Sequence, residues 1–437
     1  MRTRGMRRRR VTSIASAALG LLLVGLSTGP AQAESIRARQ WYLDAMHAPD
    51  IWRTSTGRGM TVALIDSGVD DSLADLKGQV LDGKDFSSLR GDEHTDVAGH
   101  GTSMAAIIAA TGALGGVDAS YGLAPGAKIL PIRMLDSQEV SGRMDAAAEY
   151  SEKLTRAIRF AADSKAQIIN MSLALSDAPG RHDVGTPELA AAVRYALSKG
   201  KLLFAGVGNR GDKENLPSYP ASTPGVVGVG AVDEDATVPA FSQQGPEVDM
   251  TAPGVNMVHA CAKGTQLCKT QGTSDATAIA SASAALIWSA HPDWTNNQVL
   301  RVMLKTLGKS TDGADRNDAL GYGVVRPRRA FTETVDPGPA DVYPLPDLAA
   351  AAAKSPSPRA PKPTAPAKQE KAAESSEGGN TLLWVGVGVA AALLIGAAVT
   401  VRVLRSRRRT PVAPPPPAYP PYVPTQAEPQ HRTERNR

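Results

Sequence analysis

A chain of 437 residues, 42% hydrophobic and 21% charged, has room for two or three domains, or for one large domain with appendages, and is too apolar to be disordered throughout. Its length excludes a small disulfide scaffold. The net charge of +5 does not mark a nucleic-acid binder: Arg2, Arg4, Arg7, Arg8, Arg9 and Arg10 precede the first apolar run, Arg402, Arg405, Arg407, Arg408 and Arg409 follow the last, and the remainder is net negative.

Residues 1–33 combine an arginine-rich start, the apolar run Ala15 to Leu26, a Gly29-Pro30 break and Ala31-Gln32-Ala33, a pattern that fits an export signal cleaved after Ala33 better than an uncleaved anchor helix. Val11-Thr12-Ser13 stands where the twin-arginine route expects apolar residues, so the general route is favoured. Residues 34–335 then form one block in which strand-like runs (Met60 to Ile65, Lys128 to Ile132, Gln167 to Leu173, Lys201 to Val207, Val226 to Val232) alternate with helix-like stretches, Arg143 to Ala162 and Thr186 to Ser198. The second helix has Thr186 as N-cap, Pro187 at its first position and Gly200 beyond its end. Such alternation predicts a doubly wound α/β domain, a mainly parallel sheet with helices on both faces, whose working residues lie on loops at the carboxyl ends of strands.

From Asp336 to about 380 the chain is rich in Pro, Ala and Lys and reads as a disordered spacer. Residues 381–401 follow, in which Leu382 to Val401 is an uncharged apolar run long enough to cross a bilayer as a helix. The basic, Pro-rich segment 402–437 belongs in the cytoplasm by the positive-inside rule, so the α/β block is extracytoplasmic on a single-pass membrane protein. Both cysteines, Cys261 and Cys268, fall in the exported block, where a disulfide is favoured over two free thiols, and over a metal pair for which only His259 is a nearby further ligand.

Three motifs carry chemistry. Asp66-Ser67-Gly68 closes a strand, Gly99-His100-Gly101-Thr102 opens the small apolar run Met104 to Ala110, and Gly272-Thr273-Ser274-Asp275-Ala276 opens an Ala-rich helix that stops before Pro292. Taken singly, Asp66 is a turn residue, His100 a capping or core histidine and Ser274 an N-cap. Taken together, they supply a hydroxyl, an imidazole to take its proton and a carboxylate to fix the imidazole tautomer. In that chain order, with small residues around each, the sequence resembles the subtilisin-like serine protease family over Trp41 to Ala330.

The resemblance implies catalytic Asp66, His100 and Ser274, an oxyanion-binding Asn209 in Gly206-Val207-Gly208-Asn209 with the Ser274 N–H as its partner, and a substrate cleft bordered by Ser172, Leu173, Ala174 and Gly208. Tyr219-Pro220, Phe241-Ser242, Gly245-Pro246, Ala252-Pro253-Gly254 and Gly321-Tyr322-Gly323 recur at family-like places. Within the family the chain is most similar to mycosins, membrane-anchored proteases associated with type VII secretion, through Gln40-Trp41-Tyr42-Leu43-Asp44-Ala45-Met46, the spacer and the single C-terminal helix. That likeness implies a protein or peptide substrate, a type VII secretion membrane complex as partner, and attachment to the membrane. No cofactor and no metal is expected, since Asp70-Asp71 and Asp92-Glu93 read as solvated turns. Too few residues separate Glu34 from Asp66 for a separately folded prodomain, so activity is expected without removal of one.

The chain departs from the family pattern at Asp275, where Met or Phe is common, at Ala278 in place of a proline, and at Ala174 and Leu175 where glycines are common. Asp275 is expected to stand near His100 and raise the pH at which it becomes a free base. Ala174 is expected to narrow the cleft. These departures leave open a reading of another class, a structural component of a secretion complex in which proteolysis is slow or dispensable. A nucleotide-binding domain is excluded for want of a Gly-rich phosphate loop between a strand and a helix.

Overall fold

The computed structural model describes residues 35–354 apart from 136–145, 178–180, 262–266 and 312. The export segment 1–33, the apolar run Leu382 to Val401 and the tail 402–437 lie outside the described residues. Among the described residues, no helix is long and apolar enough to cross a membrane.

Three short helices, α1 (Ile36–Arg39), α2 (Trp41–Ala45) and α3 (Ala48–Ile51), lead into β1 (Thr61–Asp66). There follow β2 (Lys84–Asp85), α4 (His100–Ala109), β3 (Lys128–Arg133), α5 (Ala146–Asp163), β4 (Ile168–Met171), β5 (Leu175–Ser176), α6 (Pro187–Ser198), β6 (Leu202–Gly206), β7 (Ser218–Tyr219), β8 (Val227–Val232) and β9 (Met250–Pro253). A hairpin of β10 (Met257–Ala260) and β11 (Leu267–Thr270) precedes α7 (Thr273–Ala290), α8 (Asn296–Thr306) and α9 (Asp347–Lys354). The predicted strands are all present, and apart from β4 each is displaced by one residue at one or both ends. The largest difference is at β4, which ends at Met171, so that Ser172 and Leu173 leave the sheet. Thr186 caps α6 by accepting from the Leu189 N–H, as its position predicts.

The main sheet has seven strands in the order β2-β3-β1-β4-β6-β8-β9, each pair of neighbours parallel. Successive side chains of a strand point to opposite faces, so Val62 and Leu64 of β1 enter the core shared with α4 and α7, while Ala63 and Ile65 enter the core shared with α5 and α6. That is why the strands read as unbroken apolar runs. The chain passes from β1 to β3 on one side and later to β4 on the other, which makes the carboxyl ends of β1 and β4 a topological switch point, where open α/β sheets form a crevice.

The leading segment is part of this domain rather than a loose extension. Tyr42, Leu43 and Ile51 are buried, and Gln40 donates to Tyr42 Oη (2.7 Å) and the Tyr121 carbonyl (2.8 Å) while accepting from the Tyr121 N–H (3.0 Å).

The expected spacer from Asp336 needs correction. Arg301 on α8 donates to the carbonyls of Pro337 (2.6 Å), Pro339 (2.9 Å) and Val342, Lys305 donates to Asp336 (2.9 Å), Leu345 is buried, and Asp347 at the head of α9 accepts from the Gly225 N–H (2.5 Å). Composition marks this stretch as unable to form its own core. It misses that a proline-rich segment has carbonyls to spare for cations on a neighbouring helix. The domain therefore takes in residues up to Lys354, and the rest of the expected spacer lies outside the described residues. Arg301→Ala removes three of these contacts and is expected to lower stability by about 1–2 kcal/mol and to expose residues 337–345 to limited proteolysis. An unchanged melting temperature and cleavage pattern would show that the strap is held by other contacts.

Candidate active site

Asp66 is the last residue of β1 and is buried to 1% exposure. Its Oδ1 accepts from the Ser67 N–H (2.8 Å) and lies 2.7 Å from His100 Nδ1. Burial pushes the Asp66 carboxyl up from its ordinary range, and the adjacent His100 is the largest influence pulling it back. Buried carboxylate and imidazolium are therefore mutually dependent, and a proton on Nδ1 directed at Asp66 leaves Nε2 as the basic atom of a neutral ring. The His100 side chain is 37% exposed, so the ring is within reach of a ligand while its partner is not.

His100 opens α4 after Gly99, whose φ of 78° is left-handed backbone. Asp96 completes that helix start: one carboxylate oxygen accepts from the Gly99 N–H (2.7 Å) and Ser67 Oγ (2.8 Å), the other from the Thr102 N–H (2.8 Å) and Oγ1 (2.6 Å). A carboxylate here satisfies amides that have no intrahelical acceptor. Gly101 is required at the next position, because a Cβ there would lie 2.1 Å from the Gly68 carbonyl oxygen and 3.2 Å from Asp66 Oδ1. Sequence reading passed over Asp96, although an Asp just ahead of a helix start carries a capping signal.

Ser274 lies in the first turn of α7, a helix that packs on α4 and is buried almost all round. Alanine and serine on every face allow that close approach. A buried chain of hydrogen bonds fixes its start: Ser281 Oγ donates to Asn170 Oδ1 (2.9 Å), Asn170 Nδ2 to Ser172 Oγ (2.9 Å), and Ser172 Oγ to the Ser274 carbonyl (3.1 Å). The Ser274 hydroxyl donates to the Ser172 carbonyl (3.2 Å), which ties it to the end of β4, next to β1. The bond between Asn170 and Ser281 was not legible in the sequence, because polar residues in apolar runs carry no mark of their partners.

Asn209 is exposed just beyond β6. Its Oδ1 accepts from the Thr273 N–H (2.8 Å) and Oγ1 (3.1 Å), which leaves the amide NH2 as the end available to a ligand. A Cβ at Gly272 would stand 3.1 Å from Asn209 Nδ2, so glycine keeps that approach open. Ser172 and Leu173 are buried and Ala174 is half-buried, ahead of β5, which pairs antiparallel with β7. Gly208 is buried, with its N–H donating to Thr273 Oγ1 (3.1 Å) and its carbonyl accepting from Gln243 N (3.1 Å). Both of its backbone polar groups thus have partners within the protein. What it supplies is space: φ is 110°, and a Cβ would fall 1.9 Å from Gln243 Oε1.

Cys261 and Cys268 are joined, with Cα atoms 5.7 Å apart, across the mouth of the β10–β11 hairpin that leads into α7. Asp275 is buried, hydrogen-bonded to Thr270 Oγ1, and pushed up to about 6 by burial, with Thr270 and His100 opposing. It does stand within electrostatic reach of His100. It is not the permanent carboxylate that its sequence position suggests, because the same burial that brings it close favours its neutral form.

The sequence profile of the subtilase family matches residues 57–323. The major intracellular serine protease of Bacillus subtilis (strain 168) is 35% identical over 254 residues, covering 56% of this chain and 74% of the relative. Among solved structures, MycP1 from Mycobacterium smegmatis superposes with a TM-score of 0.60 at 25% identity, covering 73% of this chain and 90% of that one. The MycP3 protease from the type VII (ESX-3) secretion system gives 0.58 at 32% identity, covering 71% and 91%. A chain of the periplasmic assembly from the ESX-5 inner membrane complex gives 0.61 at 25% identity, covering 79% and 92%.

Proposed function

Because the chain belongs to the subtilase family of serine proteases, we propose that it is a membrane-anchored, extracytoplasmic endopeptidase that cuts exported proteins through Asp66, His100 and Ser274. The observation that carries the reading is the 2.7 Å contact between His100 Nδ1 and buried Asp66, set beside a helix whose first turn bears Ser274.

In the proposed reaction, Ser274 Oγ turns from the Ser172 carbonyl to attack the scissile carbonyl carbon, and His100 Nε2 takes its proton. Asp66 holds the ring in the Nδ1–H tautomer and stabilises the imidazolium. The oxyanion is received by Asn209 Nδ2 and by the Ser274 N–H, which lies in a first helical turn where amides have no intrahelical acceptor. The C–N bond breaks, the amine leaves with the proton from His100, and water activated by the same imidazole releases the acyl group from Ser274. No metal or other cofactor enters these steps. The substrate backbone lies along Ser172, Leu173 and Ala174, where β4 has left the sheet.

The likeness to MycP1, to the ESX-3 protease MycP3 and to a chain of the ESX-5 assembly supports service beside a type VII secretion complex. Anchoring rests on Leu382 to Val401 and the basic residues after it. The test is labelling of the full-length protein in detergent with a fluorophosphonate probe. Labelling lost in both Ser274→Ala and His100→Ala is expected. A folded protein that takes no label would favour the non-proteolytic, structural reading.

A further inference from the structure

Behind the Ser274 segment lies a polar trio that this mechanism does not use: His259 on β10, Thr270 on β11 and Asp275 on α7. His259 is fully buried and Asp275 is 2% exposed. His259 Nδ1 lies 2.8 Å from the Ala260 carbonyl oxygen, Nε2 lies 2.9 Å from Thr270 Oγ1, and that same hydroxyl is hydrogen-bonded to Asp275 Oδ1. A carbonyl only accepts, so Nδ1 carries a hydrogen. The Thr270 hydroxyl donates once. Counting donors leaves two arrangements that satisfy every contact: protonated Asp275 donating to Thr270, which donates to neutral His259, or imidazolium His259 donating to Thr270, which donates to the Asp275 carboxylate. Both hold one proton more than neutral His259 with a carboxylate, a state in which one contact lacks a donor.

We propose that Asp275, Thr270 and His259 are positioning residues that hold this one proton behind the nucleophile and, by releasing it, set the basicity of His100. The proposal rests on the reading of His100 as the general base. Burial lowers His259 to about 4 and raises Asp275 to about 6, which places the proton on Asp275 and leaves the ring neutral. As pH rises through about 6 the proton leaves, and a buried negative charge appears one residue after Ser274, within electrostatic reach of His100. That charge favours imidazolium, so the second proton, on His100, comes off with more difficulty.

The other groups facing the trio do not supply this charge. Tyr42 on α2 feels Asp275, but burial holds its phenol well above the ordinary range and neutral, and its hydroxyl donates to the Val258 carbonyl (3.1 Å). Arg37 on α1 acts on Tyr42. Lys269, beside Thr270 on β11, is exposed, and Asp66 is engaged at Nδ1 of His100. The disulfide tethers the relay, since His259 is paired across the hairpin with Cys268 and the Ala260 carbonyl precedes Cys261.

The test compares the full-length protein with Asp275→Asn and Asp275→Met. The pH dependence of kcat/KM on a chromogenic peptide is expected to show a broadened acidic limb in the parent, and in both variants a single-proton limb lower by about half to one pH unit. Ring ¹⁵N NMR of His100 in a Ser274→Ala background, with and without Asp275→Asn, reads the same shift without turnover; only seven histidines compete for assignment. His100 titrating at the same pH with and without Asp275 would overturn the proposal. So would neutral His259 beside an Asp275 carboxylate at pH 5 in the unsubstituted protein, a measurement that no misfolded variant affects. Absence of any Ser274-dependent hydrolysis would defeat the protease reading, while the two NMR titrations would still decide the relay.

Discussion

Ser274→Ala is expected to lower kcat on a peptide substrate by about a million-fold, and the Ser274→Ala, His100→Ala double variant to lower it no further, because nucleophile and base act as one unit. Once the hydroxyl is gone, the imidazole has no proton to take, so its own removal costs nothing more. Asp66→Asn is expected to cost less, on the order of ten-thousand-fold in kcat. Its amide presents NH2 to His100 Nδ1, 2.7 Å away in the parent, and so drives the ring to the tautomer whose Nε2 carries the hydrogen. Burial of Asp66 beside His100 makes an unsubstituted imidazolium there dependent on the carboxylate, so kcat of the Asn variant should also rise at alkaline pH, where hydroxide replaces the missing base. Active-site titration with the fluorophosphonate, with circular dichroism as the check on folding, separates lost chemistry from lost structure. Losses that multiply between Ser274 and His100 would mean that the two residues do not act on the same proton.

The α/β architecture was legible because burial on both faces forces each central strand into an unbroken apolar run, as in Val62-Ala63-Leu64-Ile65 and Val226 to Val232. Helix α6 was legible from its punctuation, since Thr186, Pro187 and Gly200 each act through local backbone chemistry. The same signal was present and overlooked at α8, where Thr295 and Gln298 form a capping box. The site was only half legible. Asp66, His100 and Ser274 stand in motifs whose small neighbours mark them, and the Cys261–Cys268 pair follows from compartment and count. Asn170, Ser281 and His259 are polar residues whose meaning comes from partners 111 or 11 positions away in the chain, a relation that no local pattern encodes, whereas Asp96 carried a local capping signal that was overlooked. The partners of the Gly208 backbone, Thr273 Oγ1 and the Gln243 N–H, are likewise distant in the chain and carried no sequence signal.

Asn209→Asp is expected to lower kcat by about a hundred- to a thousand-fold, with KM little changed. The substitution keeps an oxygen for the Thr273 N–H (2.8 Å) and Oγ1 (3.1 Å), and so keeps the start of α7 in place, but it replaces the NH2 with a second acceptor that repels the developing oxyanion. An interaction made only as the carbonyl oxygen gains charge is absent from the ground-state complex, so its loss falls on kcat and kcat/KM alike. Thr273→Val provides the contrast. It removes a donor to Asn209 and the acceptor of the Gly208 N–H (3.1 Å), a change to the scaffold rather than to the oxyanion site. It is expected to cost about 1–3 kcal/mol in stability and far less in kcat than Asn209→Asp. Thermal unfolding and steady-state kinetics on the two variants therefore give opposite rankings if the Asn209 amide faces the oxyanion. Equal losses of stability and of kcat in both would make Asn209 a support for the α7 turn, and would leave the Ser274 N–H as the donor that remains to the tetrahedral intermediate.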